Sequence, residues 1–231
     1  MKRLVEPEWL DELPPDDPRA VRSRKDLRRV NRLMRHAEII AQHLATSELK
    51  PADGQIVELG AGDGTLLLRV AQRLAARWPA MKVVLVDQQS LVDAETRDGF
   101  HTLGWEMDSV KAAVFDWLRS DARNGNEVII ANLFLHHFPD QRLSELLHHA
   151  AGKTKLFVAC EPRRSPLPLT ASHLLFLLGC NSVTRHDAVI SVRAGFKGNE
   201  LSTLWPNDGR WQLSERATGL FSHVFTAART N

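Results

Sequence analysis

Gly60, Gly62 and Gly64 fall at alternate positions in the run Glu58-Leu59-Gly60-Ala61-Gly62-Asp63-Gly64-Thr65, between the apolar pair Ile56-Val57 and a helix-like segment from Leu66 to Trp78. Glycines so placed let a backbone turn tightly off the carboxyl end of a strand and come closer to a ligand than any side chain permits. A dinucleotide fingerprint would read GxGxxG, but Thr65 holds the sixth position and the third glycine arrives one residue early. Glu58 stands at the strand end just ahead, where it could take hydrogen bonds or charge from a cationic ligand. Glu58, Gly60, Ala61, Gly62, Asp63 and Gly64 are thus candidate cofactor contacts.

Further stations follow in order. Met81 to Val86 is an apolar strand ending in Asp87, with Gln88 beside it, and the two oxygens of Asp87 could accept both ribose hydroxyls of an adenosine. Val128 to Ala131 is another apolar strand and runs straight into Asn132-Leu133-Phe134-Leu135-His136-His137-Phe138. A cationic adenosine compound points to S-adenosylmethionine. The motifs ELGAGDG, VLVDQQ and ANLFLHHF resemble those of the class I S-adenosylmethionine-dependent methyltransferases, over roughly residues 36 to 229. That resemblance implies an α/β Rossmann-like fold: a seven-stranded, mostly parallel sheet with a terminal β-hairpin and a helical insertion after strand 5. It also implies S-adenosylmethionine as cofactor, with Asn132 among its contacts. Where related enzymes carry an acidic residue for the adenine amino group, this chain reads Ala113-Val114-Phe115-Asp116-Trp117. Asp116 is then either the adenine acceptor or a cap for a short helix at Trp117 and Leu118.

Methyl transfer dictates the remaining chemistry. The sulfonium is an activated donor, so the protein must exclude water, align the acceptor and, for an oxygen acceptor, take a proton. Histidine titrates in the useful range. His136 and His137 follow the strand that should end beside the sulfonium, with His136 favoured as base. Adjacent positions cannot both point the same way, and the pair could instead only shape the loop. His186 with Asp187 is a second candidate, although Asp187 could equally cap the helix that follows.

The elements that must position these groups can be read coarsely. Residues 1 to 18 hold Pro7, Pro14, Pro15 and Pro18 among acids and should form an extended arm. From Leu27, apolar residues recur at three and four, the pattern of one or two amphipathic helices. The chain divides into an arm and basic amphipathic helix over 1–35 and a methyltransferase domain over 36–231. Ser90 could cap a helix toward Leu103, Trp105 to Val110 is a weaker strand, Gln141 to Ala150 is helical, and Lys155 to Cys160 is a strand. Trp211 to Ala217 and Ser222 to Ala228, joined at Gly219, are the last two β runs. Residues 163–205 lie outside the common core. They hold an apolar helix from Leu169 to Leu178, Arg163 and Arg185 as candidate substrate contacts, and Gly195 and Gly198 as sources of freedom for a lid over the acceptor. An ordinary helical elaboration would look the same.

At 231 residues and 43% hydrophobic, the chain can bury one α/β core, and a net charge of +2 demands no polyanionic partner. No apolar run approaches the roughly 20 residues of a membrane span, and no signal peptide precedes Pro7, so a cytoplasmic protein is expected. Cys160 and Cys180 read as small buried residues. No carboxylate cluster with hard-cation spacing stands beside the site, so metal independence is expected. The first functional expectation is O-methylation of a small phenolic or polyketide-like acceptor. The second is RNA methylation, using the arginines between Arg19 and Arg35 to track phosphates. No NPPY-type motif or aromatic platform supports it, and those charges read better as a solvated helix face, so a nucleic-acid partner is not expected. A scaffold that binds cofactor without catalysis is third. The sequence sets no oligomeric state.

Overall fold

Near-continuous apolar runs make strands that can be covered on both faces, because successive side chains point to opposite sides of the sheet. In the computed structural model, which describes residues 1–47, 54–120 and 126–230, β1 (Gln55–Leu59), β2 (Lys82–Asp87), β3 (Glu106–Lys111), β4 (Asn126–Asn132) and β5 (Thr154–Pro162) are parallel. β6 (Trp211–Thr218) and β7 (Ser222–Arg229) form an antiparallel hairpin whose second strand pairs with β5. The sheet order is β3-β2-β1-β4-β5-β7-β6. Helices α1 (Trp9–Glu12), α2 (Pro18–Met34) and α3 (His36–Thr46) precede the sheet; α4 (Thr65–Leu74), α5 (Ala94–Thr102), α6 (Val114–Arg119) and α7 (Asp140–Lys153) link its parallel strands. The insertion carries α8 (Pro166–His173), a 3-10 turn at Leu175–Leu178, α9 (Ser182–Ala194) and α10 (Glu200–Leu204).

One sheet face presents Ile56, Val83, Leu85, Val128, Ile130 and Val158 to α3, α4 and α5, through Ile40, Val70 and Phe100. The other presents Val57, Val84, Val86, Ile129 and Phe157 to α6, α7 and α10, through Val114, Leu143 and Leu201. Each fully buried Val, Leu or Ile in these rows contributes roughly 1.5–3 kcal/mol. The chain leaves β1 toward β2 and β3, then returns to β4 on the other side. The resulting switch point opens a crevice at the carboxyl ends of β1 and β4. Among the described residues no helix is long and apolar enough to cross a membrane.

Several local expectations change. Pro18 is the first residue of α2, with Asp17 as its N-cap, because a proline at that position loses no hydrogen bond. α2 and α3 part at Arg35, whose φ of 59° is left-handed. The cap of α5 is Asp93, accepting from Thr96 N at 2.8 Å, in place of Ser90. The apolar stretch from Leu169 to Leu178 breaks at Leu174 into α8 and the 3-10 turn, and Leu174, Phe176, Leu177 and Leu178 are exposed. Gly195 is a packing glycine, not a hinge: a Cβ there would meet the Pro162 carbonyl oxygen at 2.2 Å.

Candidate functional site

Off the end of β1 the chain turns on Gly60, at φ 68°, where Gly60 and Ala61 amides donate to Val86 O of the neighbouring strand. A Cβ on Gly60 would strike the Phe134 ring at 2.2 Å, whereas one on Gly62 would meet nothing within 4 Å. The first glycine lets the loop after β4 close against the turn. The second faces the open crevice, which is a cavity of about 410 Å³. Glu58 lies at its floor, buried, with Oε2 lacking any partner. Burial, then the nearby charges of Asp63 and Asp87, hold its carboxyl well above the ordinary range. A buried acceptor left unpaired is costly, and a cation in the cavity would relieve it.

Asp87, at the end of β2, is held by two amides: Gly62 N donates to Oδ2 at 2.9 Å and Gln89 N to Oδ1 at 2.8 Å. Both oxygens retain lone pairs for a ligand's hydroxyls. Asp63, one residue ahead of the Gly64 N-cap of α4, accepts from Thr65 N at 3.0 Å and pairs with Arg28 at 3.4 Å. Asn132, at the end of β4, is buried with Oδ1 unpartnered. Ala61, Gly62, Asp63, Asp87, Gln88 and Asn132 all line the cavity. Gly64 does not, and Asp116 is exposed in the first turn of α6, where its charge suits the helix N-terminus.

Beyond the glycine turn lies the histidine end. Leu133 has a φ of 49°, a strained value for a leucine, and it swings the chain after β4 across the crevice. Glu161, fully buried at the end of β5, accepts from Phe134 N at 3.0 Å and Leu135 N at 2.9 Å, and its other oxygen meets His136 Nδ1 at 2.8 Å. His136 Nε2 lies 3.2 Å from Glu8 Oε1. Carboxylates only accept, so both ring nitrogens carry protons. Burial opposes that charge, but the bonds to Glu161 and Glu8 outweigh it and raise the imidazole to about 9. For Glu8, burial is likewise overcome by His136, and its carboxyl falls to about 2. The expectation that His136 is the base therefore changes: at neutral pH it already holds its proton. Both histidines line the cavity, but His137 is the more exposed of the two, with Nδ1 3.2 Å from Asp11 Oδ2.

The roof is the N-terminal arm, which is docked. Arg3 bonds to Ala194 O at 2.8 Å, Phe138 O at 2.9 Å and Asp140 at 2.6 Å, and stacks over Phe196 at 4.6 Å. α1 is capped by Asp187, whose oxygens accept from Trp9 N at 2.9 Å and Leu10 N at 3.0 Å. Trp9 stacks on His186 at 3.6 Å. Asp187 is thus a cap for a helix remote in sequence, and it also bonds its neighbour His186 at 2.9 Å. Of residues 163–205 only Ser191 lines the cavity. Arg163, Arg185 and His186 lie outside it, with Arg185 exposed, because the arm and α2 fill the space that the insertion was expected to cover.

Sequence reasoning missed Glu8, Asp11 and Glu161. Glu8 and His136 are separated by 128 residues, so no local spacing could have joined them. The expectation concerned carboxylates with hard-cation spacing; what the fold assembles is a different set, with Glu8, His136 and His137 bringing donor atoms within 4.8 Å of one another. Arginines of α2 also proved engaged in the fold. Arg22 and Arg29 bond to Gly179 O and Leu178 O of the insertion, while Arg24 and Arg28 line the cavity.

No protein-family model matches the chain, and no curated protein matches it in sequence. Solved structures match it in fold. An O-methyltransferase family protein from Burkholderia thailandensis is 17% identical with a TM-score of 0.60, over 93% of this chain and 61% of its own. Mitomycin 7-O-methyltransferase is 17% identical with a TM-score of 0.58, over 96% of this chain and 60% of its own. Magnesium protoporphyrin IX methyltransferase from Synechocystis, solved with bound S-adenosylmethionine, is 13% identical with a TM-score of 0.56, over 90% and 84%. The chain thus spans less than two thirds of the first two proteins, and it has the fold of class I methyltransferases.

Proposed function

We propose that this chain transfers the methyl group of S-adenosylmethionine to an oxygen of a small-molecule acceptor, phenolic or polyketide-like, with deprotonation assisted by histidine at His137. The observation that carries the reading is the unpartnered, buried Glu58 oxygen on the floor of a cavity that runs on to His137. In this reading Glu58 receives the cofactor's positive charge, Gly60 and Gly62 admit its amino-acid end, and Asp87 takes the ribose hydroxyls. Arg28, held over Asp63, is placed for the cofactor's carboxylate. The acceptor sits under the arm, α2 and the Phe134–Phe138 loop, where water is excluded.

In the proposed transfer the acceptor oxygen would attack the methyl carbon. S-adenosylmethionine held there would supply an activated methyl group, the C–O bond forming as the C–S bond breaks and a neutral thioether being left, and the acceptor's proton would pass to the His137 end. Calorimetry with S-adenosylmethionine and its demethylated product tests the cofactor assignment: Asp87→Ala should weaken binding about tenfold to a hundredfold by removing charge-assisted hydrogen bonds. Unchanged affinity, or no heat with the wild type, would defeat it. A radiolabelled methyl-transfer screen over phenols, carboxylic acids and RNA tests the acceptor class, and label appearing only in RNA would move the function to the nucleic-acid reading.

A further inference from the structure

Two carboxylates from the arm and two histidines from the loop after β4 meet at the acceptor end of the cavity. Glu8, His136 and His137 each offer a donor atom within 4.8 Å of the others, and all three line the cavity. Glu8 Oε1 and His136 Nε2 are 3.2 Å apart, close to the spacing of about 3.4 Å between tetrahedral donors at ordinary zinc distances. We propose that Glu8, His136 and His137 form a binding site for one divalent first-row transition-metal ion.

The surroundings are those of a metal centre as well as of an ion pair. Glu161 holds His136 Nδ1 at 2.8 Å, while its other oxygen is fixed by two backbone amides. A carboxylate behind a ligating imidazole sets the tautomer and ring orientation, and the ion takes the place of the proton that Nε2 holds in the pair with Glu8, so that binding releases one proton. Asp11, at 3.2 Å from His137 Nδ1, adds a further carboxylate beside the second imidazole. Two imidazoles and one carboxylate suit zinc, iron or cobalt and do not suit magnesium or calcium, which prefer all-oxygen shells. The third ligand comes from an arm that Arg3 pins to the loop carbonyls, so closing the site asks only for a small adjustment of side chains. The open side of the centre faces the cavity. That an acceptor oxygen would complete the coordination there rests on the methyltransferase reading; the metal site itself does not.

The test uses tag-free protein, stripped with chelator and titrated with Zn²⁺ by calorimetry and with Co²⁺ by visible absorption. One equivalent should bind the wild type, with cobalt d–d bands that report imidazole ligation. Glu8→Gln and His137→Asn should each weaken binding by about a hundredfold or more, while His173→Asn, at an exposed histidine remote from the cavity, should leave it unchanged. His136 is left intact because its replacement would orphan Glu161. The absence of a stoichiometric equivalent in the wild type, or equal affinity in both variants, overturns the site. Affinity for the demethylated cofactor is measured on the same samples. Its loss in the wild type would sink the methyltransferase reading and leave the metal result standing.

Discussion

At the scale of single residues, Glu58 has the sharpest consequence. Burial and two neighbouring carboxylates keep its carboxyl protonated above the ordinary range, and a cation placed against Oε2 reverses that preference. Binding of S-adenosylmethionine should therefore expel a proton wherever the free carboxyl is still protonated. Titrations in two buffers of different ionisation heat should give different binding enthalpies, and Glu58→Gln should abolish the difference. Equal enthalpies in the wild type would mean that the cofactor's charge lies elsewhere. His137 makes the second case. It lines the cavity, so His137→Gln should lower turnover by roughly 10² to 10⁴ with cofactor affinity nearly intact. Full activity in this variant would remove His137 from the chemistry.

At the scale of elements, the arm is the unit that completes the site. Its contacts are concentrated in Arg3, in the Asp187 cap of α1 and in the stack of Trp9 on His186, and none of these is part of the sheet. The arm can then open while the core stays folded. Replacing Arg3 with Ala should speed hydrogen exchange across residues 4–13 and raise the Michaelis constant for the acceptor, while exchange in β1, β4 and β5 stays slow. Uniformly slow exchange in the variant would show that Asp187 and Trp9 hold the arm without Arg3. The insertion contributes at one remove: α9 supplies Asp187 and His186 to the arm, and only Ser191 to the cavity. It is the wall on which the roof rests.

At the scale of the whole molecule, His36 links stability to pH. It is fully buried where α3 meets β7, with Nε2 2.9 Å from Ser222 Oγ, and burial lowers it to about 4 against the pull of Asn132 and Glu161. The unfolded chain, with an ordinary histidine, binds a proton below about pH 6.5, which the folded chain refuses until about pH 4. Stability from this group is thus complete above pH 6.5 and is lost as pH falls through that window, by about 3 kcal/mol in all. Urea unfolding at pH 7 and pH 4.5 should show a smaller loss for His36→Gln than for the wild type. Parallel losses would assign acid sensitivity to other groups.

The glycine run, Asp87 and the asparagine that opens the loop after β4 were legible in the chain because each lies at a strand end, and a strand end is marked by local pattern: an apolar run, then glycine or an acid. Sheet composition was legible for the same reason, since residues buried on both faces write their strands as continuous apolar runs. The terminal hairpin rested on family likeness, and pairing β7 with β5 is a contact that no local pattern encodes. Tertiary structure alone decided the histidine end. His136 looks like a free base until Glu161, 25 residues on, and Glu8, 128 residues back, close on its two nitrogens. Arg163 and Arg185 look like substrate contacts in the chain, and in the fold neither lines the cavity. Local pattern carries information about which residues are buried and in what element. Which charge meets which, across a hundred residues of chain, is settled by packing, and packing is what sets the proton on His136.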